Sequence, residues 1–555
     1  MKIKAYLLAL CLCWQSLITS AANVPLMPVQ DIQPGMQGVG KTVISGDTIE
    51  EFNVEVIGVS GRETSGRTIL VRMYGDVIEK TGGVAQGMSG SPVYIDGRLV
   101  GAVAYGQSFN DPHYCFLTPI GNMLKMLDTP QKPPADWLPK GTSLAAGGFT
   151  ELGIACLRED LRPQGIDVTV GINDGSESTK PLEPGSSIGA SMMSGDMTLG
   201  AIGTVTWTDD EGHILAFGHQ FMSRGNSNFF LNKAWVLGVI PNMQTSFKIG
   251  NIGTPVGRID QDRSSGIAGK VGDLPKSIPL HVNVSDTSRG INNAYDMRIV
   301  DDERLVPAVL KATAVSCVNK TADRKSTGTA KLHFKLTGVD HEKKYLELDR
   351  DNMFYATENL EKVMVQELTE SVRILMNNKY EKLDIYGINI DAEISEEPHV
   401  AEIIKVSTKN RHVKPGQKVA LNVVMKPFRG EEFSRIVEYT VPEKAKGGKM
   451  ILNVHGGSSV SWIMNLLRKQ KDEDVPETVN KEIKRKTLTD FVQEVNTADK
   501  NNSLVIDISS GIAGLEKQTK EAGLGAMLKG SPYKKVISYD FIVDGETELV
   551  LTVDA

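Results

Sequence analysis

Long hydrophobic runs, aromatic residues, cysteines and surplus positive charge are all scarce in this chain of 555 residues. Beyond the amino-terminal leader no apolar stretch reaches the ~18 residues a membrane-spanning helix needs, so none is expected in the mature protein. Five cysteines are present, and Cys11 and Cys13 fall within the leader. Cys115, Cys156 and Cys317 are widely and irregularly spaced, which excludes a zinc pattern or a disulfide framework and leaves buried apolar thiols as the expectation. A net charge of −7 and a pI near 5.8 argue against a general polyanion binder, so no nucleic-acid partner is expected. Aromatics reach only 6%, whereas glycine numbers 54. With 40% apolar and 23% charged residues the chain is neither wholly disordered nor fibrous. That balance predicts a mainly β protein with many tight turns.

The first residues read as a secretory signal. Lys2 and Lys4 precede the apolar run Ala5–Leu12, and Ser20-Ala21-Ala22 supplies small residues for cleavage before Asn23. Leu10 stands before Cys11 where a lipoprotein signal needs a small residue. The expectation is a signal peptide over 1–22 and export to the periplasm or the extracellular space. Alternating apolar runs and turn signals then define a β-rich block at 23–128, with a short helix over Ile120–Leu127. Pro130, Pro133 and Pro134 mark a linker at 129–150. A second β-rich block spans 151–290 and a mixed α+β region spans 291–395. In that region Leu360, Val363, Met364, Leu368, Val372 and Leu375 keep helical spacing. Alternation at Val419, Leu421, Val423 and Met425 predicts a small β-sandwich over 396–456. The tail, 457–555, reads as helices near 458–469 and 487–496, separated by a charged run and followed by strands.

Gly35-Met36-Gln37-Gly38-Val39-Gly40-Lys41-Thr42 fits the G-x-x-x-x-G-K-[ST] nucleotide pattern. A phosphate loop must follow a buried strand and open a helix whose N–H groups face the phosphates. Pro28–Pro34 is no buried strand, and Val43-Ile44-Ser45-Gly46 is β-like and broken by glycine. The motif predicts a turn into a strand, and no nucleotide.

The strongest chemical signal is Gly87-Met88-Ser89-Gly90-Ser91-Pro92. A nucleophilic serine needs a sharp turn and neighbouring backbone N–H groups for the oxyanion, and the flanking glycines permit that turn. Pro92–Ile95, Asp96-Gly97 and Leu99–Val103 read as a strand, a hairpin turn and its partner strand. A helix does not follow, so the α/β-hydrolase elbow is excluded. This arrangement resembles the nucleophile region of trypsin-like peptidases. Nine histidines could serve as base. His219, in Leu215-Ala216-Phe217-Gly218-His219, ends a strong strand after a glycine that admits a close backbone, whereas His213 lies in a charged turn.

Thr81–Pro92 and the stretch Ile202–Thr206 through His219 resemble the serine and histidine segments of the stage IV sporulation protein B serine peptidase family. The likeness spans about residues 26–275. It implies a trypsin-like two-barrel core, with the serine-bearing half-barrel at 23–128 and the histidine-bearing one at 151–290. It also implies Ser89 as nucleophile and His219 as general base, with Gly87 and Ser89 N–H groups forming the oxyanion hole. In that family the histidine segment precedes the serine segment, the reverse of the order here. The position aligned with the family's orienting aspartate is Tyr74, so Asp76, two residues on, and Asp262 are the candidates for the third member. The expected function is an exported serine endopeptidase acting on an envelope or secreted protein, with a protein or peptide substrate and no metal or cofactor. The alternative is a peptidase-like scaffold without catalysis, used for binding.

Overall fold

The computed structural model describes residues 24–61, 66–106, 111–127, 142–242, 245–378, 381–457, 488–510 and 533–554. The expected signal peptide, most of the linker, the helix near 458–469 and the charged run after it lie outside the described residues. The chain forms two compact units. One comprises residues up to Gly148 with Arg158–Ser277, the other Phe149–Leu157 with Ile278–Ala555. Both are mainly β.

In the first unit β1 (Gln37–Val43), β2 (Ile49–Ser60), β3 (Thr68–Tyr74), β4 (Pro92–Ile95), β5 (Arg98–Tyr105) and β6 (Tyr114–Pro119) close a barrel in the order β1-β2-β3-β6-β5-β4. Period-two alternation sends Ile69, Val71 and Met73 of β3 into the core, where they meet Val54, Val56, Val93 and Ile95. Asp96 and Gly97 both take positive φ, 49° and 71°, as the two-residue turn of the β4–β5 hairpin requires. The nucleotide-like motif runs into β1, with Lys41 paired to Glu51 on the neighbouring strand, and no helix follows it. The short helix expected over Ile120–Leu127 starts at Ile120 and ends at Leu124, three residues early.

The same unit continues through β7 (Thr142–Gly147), β8 (Ile166–Val170), β9 (Ser187–Gly195), β10 (Thr198–Thr208), β11 (His213–Ala216), β12 (Gly225–Ile240), β13 (Phe247–Arg263) and β14 (Gly266–Val271). Six of these pair in a ring, β9-β12-β13-β14-β11-β10, which the β9–β10 ladder closes. β7 and β8 extend it outward from β10. The trypsin-like expectation of two β rings carried by one unit matches this arrangement.

The second unit holds a five-stranded sheet ordered Tyr345–Ala356, Gly328–Val339, Asp384–Ser395, Ser277–Asp286 and Ile291–Val300. Helix Leu360–Met376 packs on it through Leu360, Met364, Leu368, Val372 and Leu375 of the stripe read from the sequence, whereas Val363, assigned to the same stripe, is exposed. A further helix, Val306–Ala322, was not among the expected elements. Nearly all of its side chains are buried, so it carries no polar face and no amphipathic stripe to mark it. The β-sandwich draws on more chain than 396–456: Ser503–Ser510, Lys535–Ser538, Ile542–Asp544 and Glu546–Val553 complete its two sheets. Leu421, Val423, Met450, Leu452, Ile506 and Leu551 share its core. Cys115, Cys156 and Cys317 are buried thiols, and desolvation pushes the Cys115 thiol up to about 12.

Candidate active site

Ser89 owes its position to a tight turn. The Ser91 N–H donates to the Met88 carbonyl at 2.9 Å, and Gly90, in the third position, takes φ +93°. That value suits a type II turn and excludes ordinary side chains from position 90. Met88 is fully buried and anchors the turn in the first barrel. A Cβ on Gly90 would sit 2.0 Å from the Thr204 carbonyl oxygen, so here the two rings touch backbone to backbone. Across this contact the Thr204 N–H donates to the Ser89 carbonyl at 2.9 Å, the Thr204 hydroxyl to the Gly87 carbonyl at 2.9 Å, and the Thr206 hydroxyl to the Gly90 carbonyl at 2.8 Å.

His219 is presented by a second strained turn. Phe217 takes φ +67°, unusual for a residue with a side chain, and the Gly218 N–H reaches back to the Ala216 carbonyl at 2.8 Å. Gly203 leaves the space that the Phe217 ring fills. The Thr118 hydroxyl, from the first barrel, donates to the Gly218 carbonyl at 2.6 Å. The histidine loop is thereby fastened to the ring that carries the serine.

The outcome is a 2.9 Å hydrogen bond between Ser89 Oγ and His219 Nε2. His219 Nδ1 lies 2.7 Å from the Gln220 carbonyl oxygen. A carbonyl only accepts, so Nδ1 carries the proton, and Nε2 is left with a lone pair for the serine hydroxyl. Burial pushes the imidazole below its usual value, against the opposing pull of the Gln220 carbonyl. A ring held neutral in this way can take up a proton.

The two carboxylates proposed from the sequence occupy different settings. Asp262 is buried, and its oxygens accept the N–H groups of Phe221 at 2.7 Å, Met222 at 2.7 Å and Arg224 at 3.0 Å. It ties down the loop that follows His219, and its bonds go to that backbone. Burial raises its carboxyl and those three N–H groups oppose the rise. Asp76 is exposed at the start of helix Asp76–Thr81, with no hydrogen-bond partner among the described residues. Tyr74 donates to the Gln37 side chain at 2.8 Å. The N–H groups of Gly87 and Ser89 have no partner among the described residues.

Sequence reasoning passed over the Gln220 carbonyl, Thr118 and Thr204. A main-chain carbonyl leaves no trace in residue identity. Thr204 lay within the stretch already singled out, with nothing to separate it from Thr206.

Residues 15–124 match the family model of SpoIVB peptidase S55. The matched segment contains the first barrel and the Ser89 turn, while His219 comes from a part of the chain beyond it. This resemblance to the SpoIVB family supports a peptidase function. No curated protein and no solved structure matches the chain. Among the described residues no helix is long and apolar enough to cross a membrane.

Proposed function

We propose that the protein is an exported serine endopeptidase acting on an envelope or secreted protein. The observation that carries this reading is the 2.9 Å bond between Ser89 Oγ and His219 Nε2, with the proton of the ring assigned to Nδ1. Ser89 attacks the scissile carbonyl carbon while Nε2 takes the hydroxyl proton. The developing oxyanion is held by the N–H groups of Gly87 and Ser89, a contribution of about 3 kcal/mol per donor in comparable sites. Collapse expels the amine, which leaves with the proton from Nε2, and water repeats the sequence on the acyl-serine. In this scheme Asp262 is a positioning residue that holds the loop after His219, and Asp76 has no part. The serine-first order is compatible with the chemistry, because such pairs recur in several chain orders.

One observation favours the scaffold reading. The orienting group on Nδ1 is a neutral carbonyl, and losing a carboxylate from a triad costs roughly 10⁴ in rate. A fluorophosphonate probe separates the two readings. Labelling of the purified chain that disappears in both Ser89→Ala and His219→Ala supports the enzyme. No labelling of the wild type, or labelling indifferent to both changes, supports the scaffold.

A further inference from the structure

Lys248 is 8% exposed, and its Nζ bonds to three hydroxyls, those of Thr42 at 3.1 Å, Thr204 at 3.3 Å and Ser187 at 3.5 Å. No carboxylate pairs with it among the described residues. A buried lysine is expensive to desolvate and is ordinarily paired. This one lies against the turn that carries Ser89. Its stem fills the space a Cβ on Gly87 would need, at 2.9 Å, and its main-chain N–H donates to the Gln86 carbonyl at 2.8 Å.

We propose that Lys248, acting through Thr204, is the positioning residue of the oxyanion turn. This inference rests on the peptidase reading above. An ammonium group has three donors and no acceptor, and here three hydroxyls face it. Thr204 Oγ1 must therefore accept from Nζ, and its own hydrogen is directed to the Gly87 carbonyl 2.9 Å away. The Lys248 main chain holds the Gln86–Gly87 peptide by its carbonyl. The peptide is trans, so its other edge, the Gly87 N–H, points away from that bond. One lysine thus fixes the peptide units on both sides of the Gly87 Cα.

Protonation supplies the direction. A neutral amine offers a lone pair, to which the Thr204 hydrogen can turn, releasing the Gly87 carbonyl. Burial pushes the Lys248 amine down to about 7. The groups bonded to it from β1, β9 and β10 are the hydroxyls of Thr42, Ser187 and Thr204, none of which titrates nearby, and Phe247 and Ile249 flank it on β13.

The test uses the full chain, a fluorophosphonate probe and a pH series, with thermal unfolding in parallel. On the acid side of 7, Lys248→Met and Thr204→Val label roughly 10- to 100-fold more slowly than wild type, as expected when one oxyanion donor is misaligned. Thr204→Ser, which keeps the hydroxyl, restores most of the rate. The wild-type rate falls as pH rises through about 7, and Lys248→Met loses that falling limb. A purely structural lysine would leave the limb in place. Lys248→Met and Thr204→Val labelling at the wild-type rate overturns this assignment alone. Absence of any Ser89-dependent labelling in the wild type overturns the peptidase reading and this inference with it. Should Lys248→Met not fold, Thr204→Val decides.

Discussion

His219 Nδ1 donates to the main-chain carbonyl of Gln220 at 2.7 Å, so the imidazole is oriented by the residue that follows it in the chain. A bond to the backbone survives every substitution of the Gln220 side chain that leaves the loop in place. It also offers a neutral dipole to the imidazolium formed in the reaction, where a carboxylate would offer full charge. The ring is consequently well oriented and less well stabilised when charged.

Burial favours neutral His219, and if His219 is the base as proposed, this sets the acid limb of the activity. The proton acceptor must be unprotonated, and the ring's value is depressed below 6.5. The Ser89-dependent labelling rate should therefore rise with pH and reach its half-maximum below 6.5. A half-maximum above that value, measured over a pH series at constant ionic strength, contradicts the assignment of His219 as base.

Asp262→Asn probes the loop after His219. The carboxylate accepts three N–H groups, whereas an amide offers one oxygen and turns its own donors toward the rest. A loss of about 3 kcal/mol is expected on urea titration. The labelling rate should drop, yet its acid limb should keep the wild-type midpoint, because the carboxylate does not bond to the imidazole. A large shift of that midpoint would make Asp262 the orienting group after all.

Gly90→Ala attacks the seam between the rings. The new Cβ would meet the Thr204 carbonyl at 2.0 Å, in a backbone conformation at φ +93° that alanine avoids. Relief requires the Ser89 turn to leave β10. Loss of at least about 3 kcal/mol, with abolished labelling, is the expected result. Wild-type stability by chemical denaturation would show that the contact is not needed.

Lys248 should also be visible in the stability of the whole chain. Its amine lies near 7 in the folded state and at the ordinary 10.5 when unfolded. Between these values the unfolded chain binds more protons, so stability rises with pH, by up to about 1.4 kcal/mol per pH unit. Lys248→Met should flatten that slope and be the more stable protein on the acid side. Parallel slopes for the two proteins would place the amine in solvent.

The residues that carried the site from the sequence alone were those whose chemistry restricts their neighbours. Ser89 needs glycines around it, and His219 needs Gly218 beneath it, so both left a local signature. Lys248 left none: in Ser246-Phe247-Lys248-Ile249, alternation points Phe247 and Ile249 inward, whereas the fold buries the lysine. The left-handed Phe217 was equally hidden, since nothing in its identity demands φ +67°. Strand alternation and turn residues disclosed strands of the first barrel, whereas its closure was an expectation of the peptidase resemblance alone. Closure of the second ring by the β9–β10 ladder, and completion of the sandwich by strands beyond residue 503, depend on pairings that no local pattern encodes.

The seam at Gly90 and Thr204 also bears on how the site is assembled. The serine and its base stand 130 residues apart, one on each ring. Ser89 can therefore meet His219 only after both rings have formed and come together. Until the second ring has folded and docked, the serine is an ordinary alcohol. On the proposed reading, reactivity is then a property of the assembled pair of rings and of neither ring by itself.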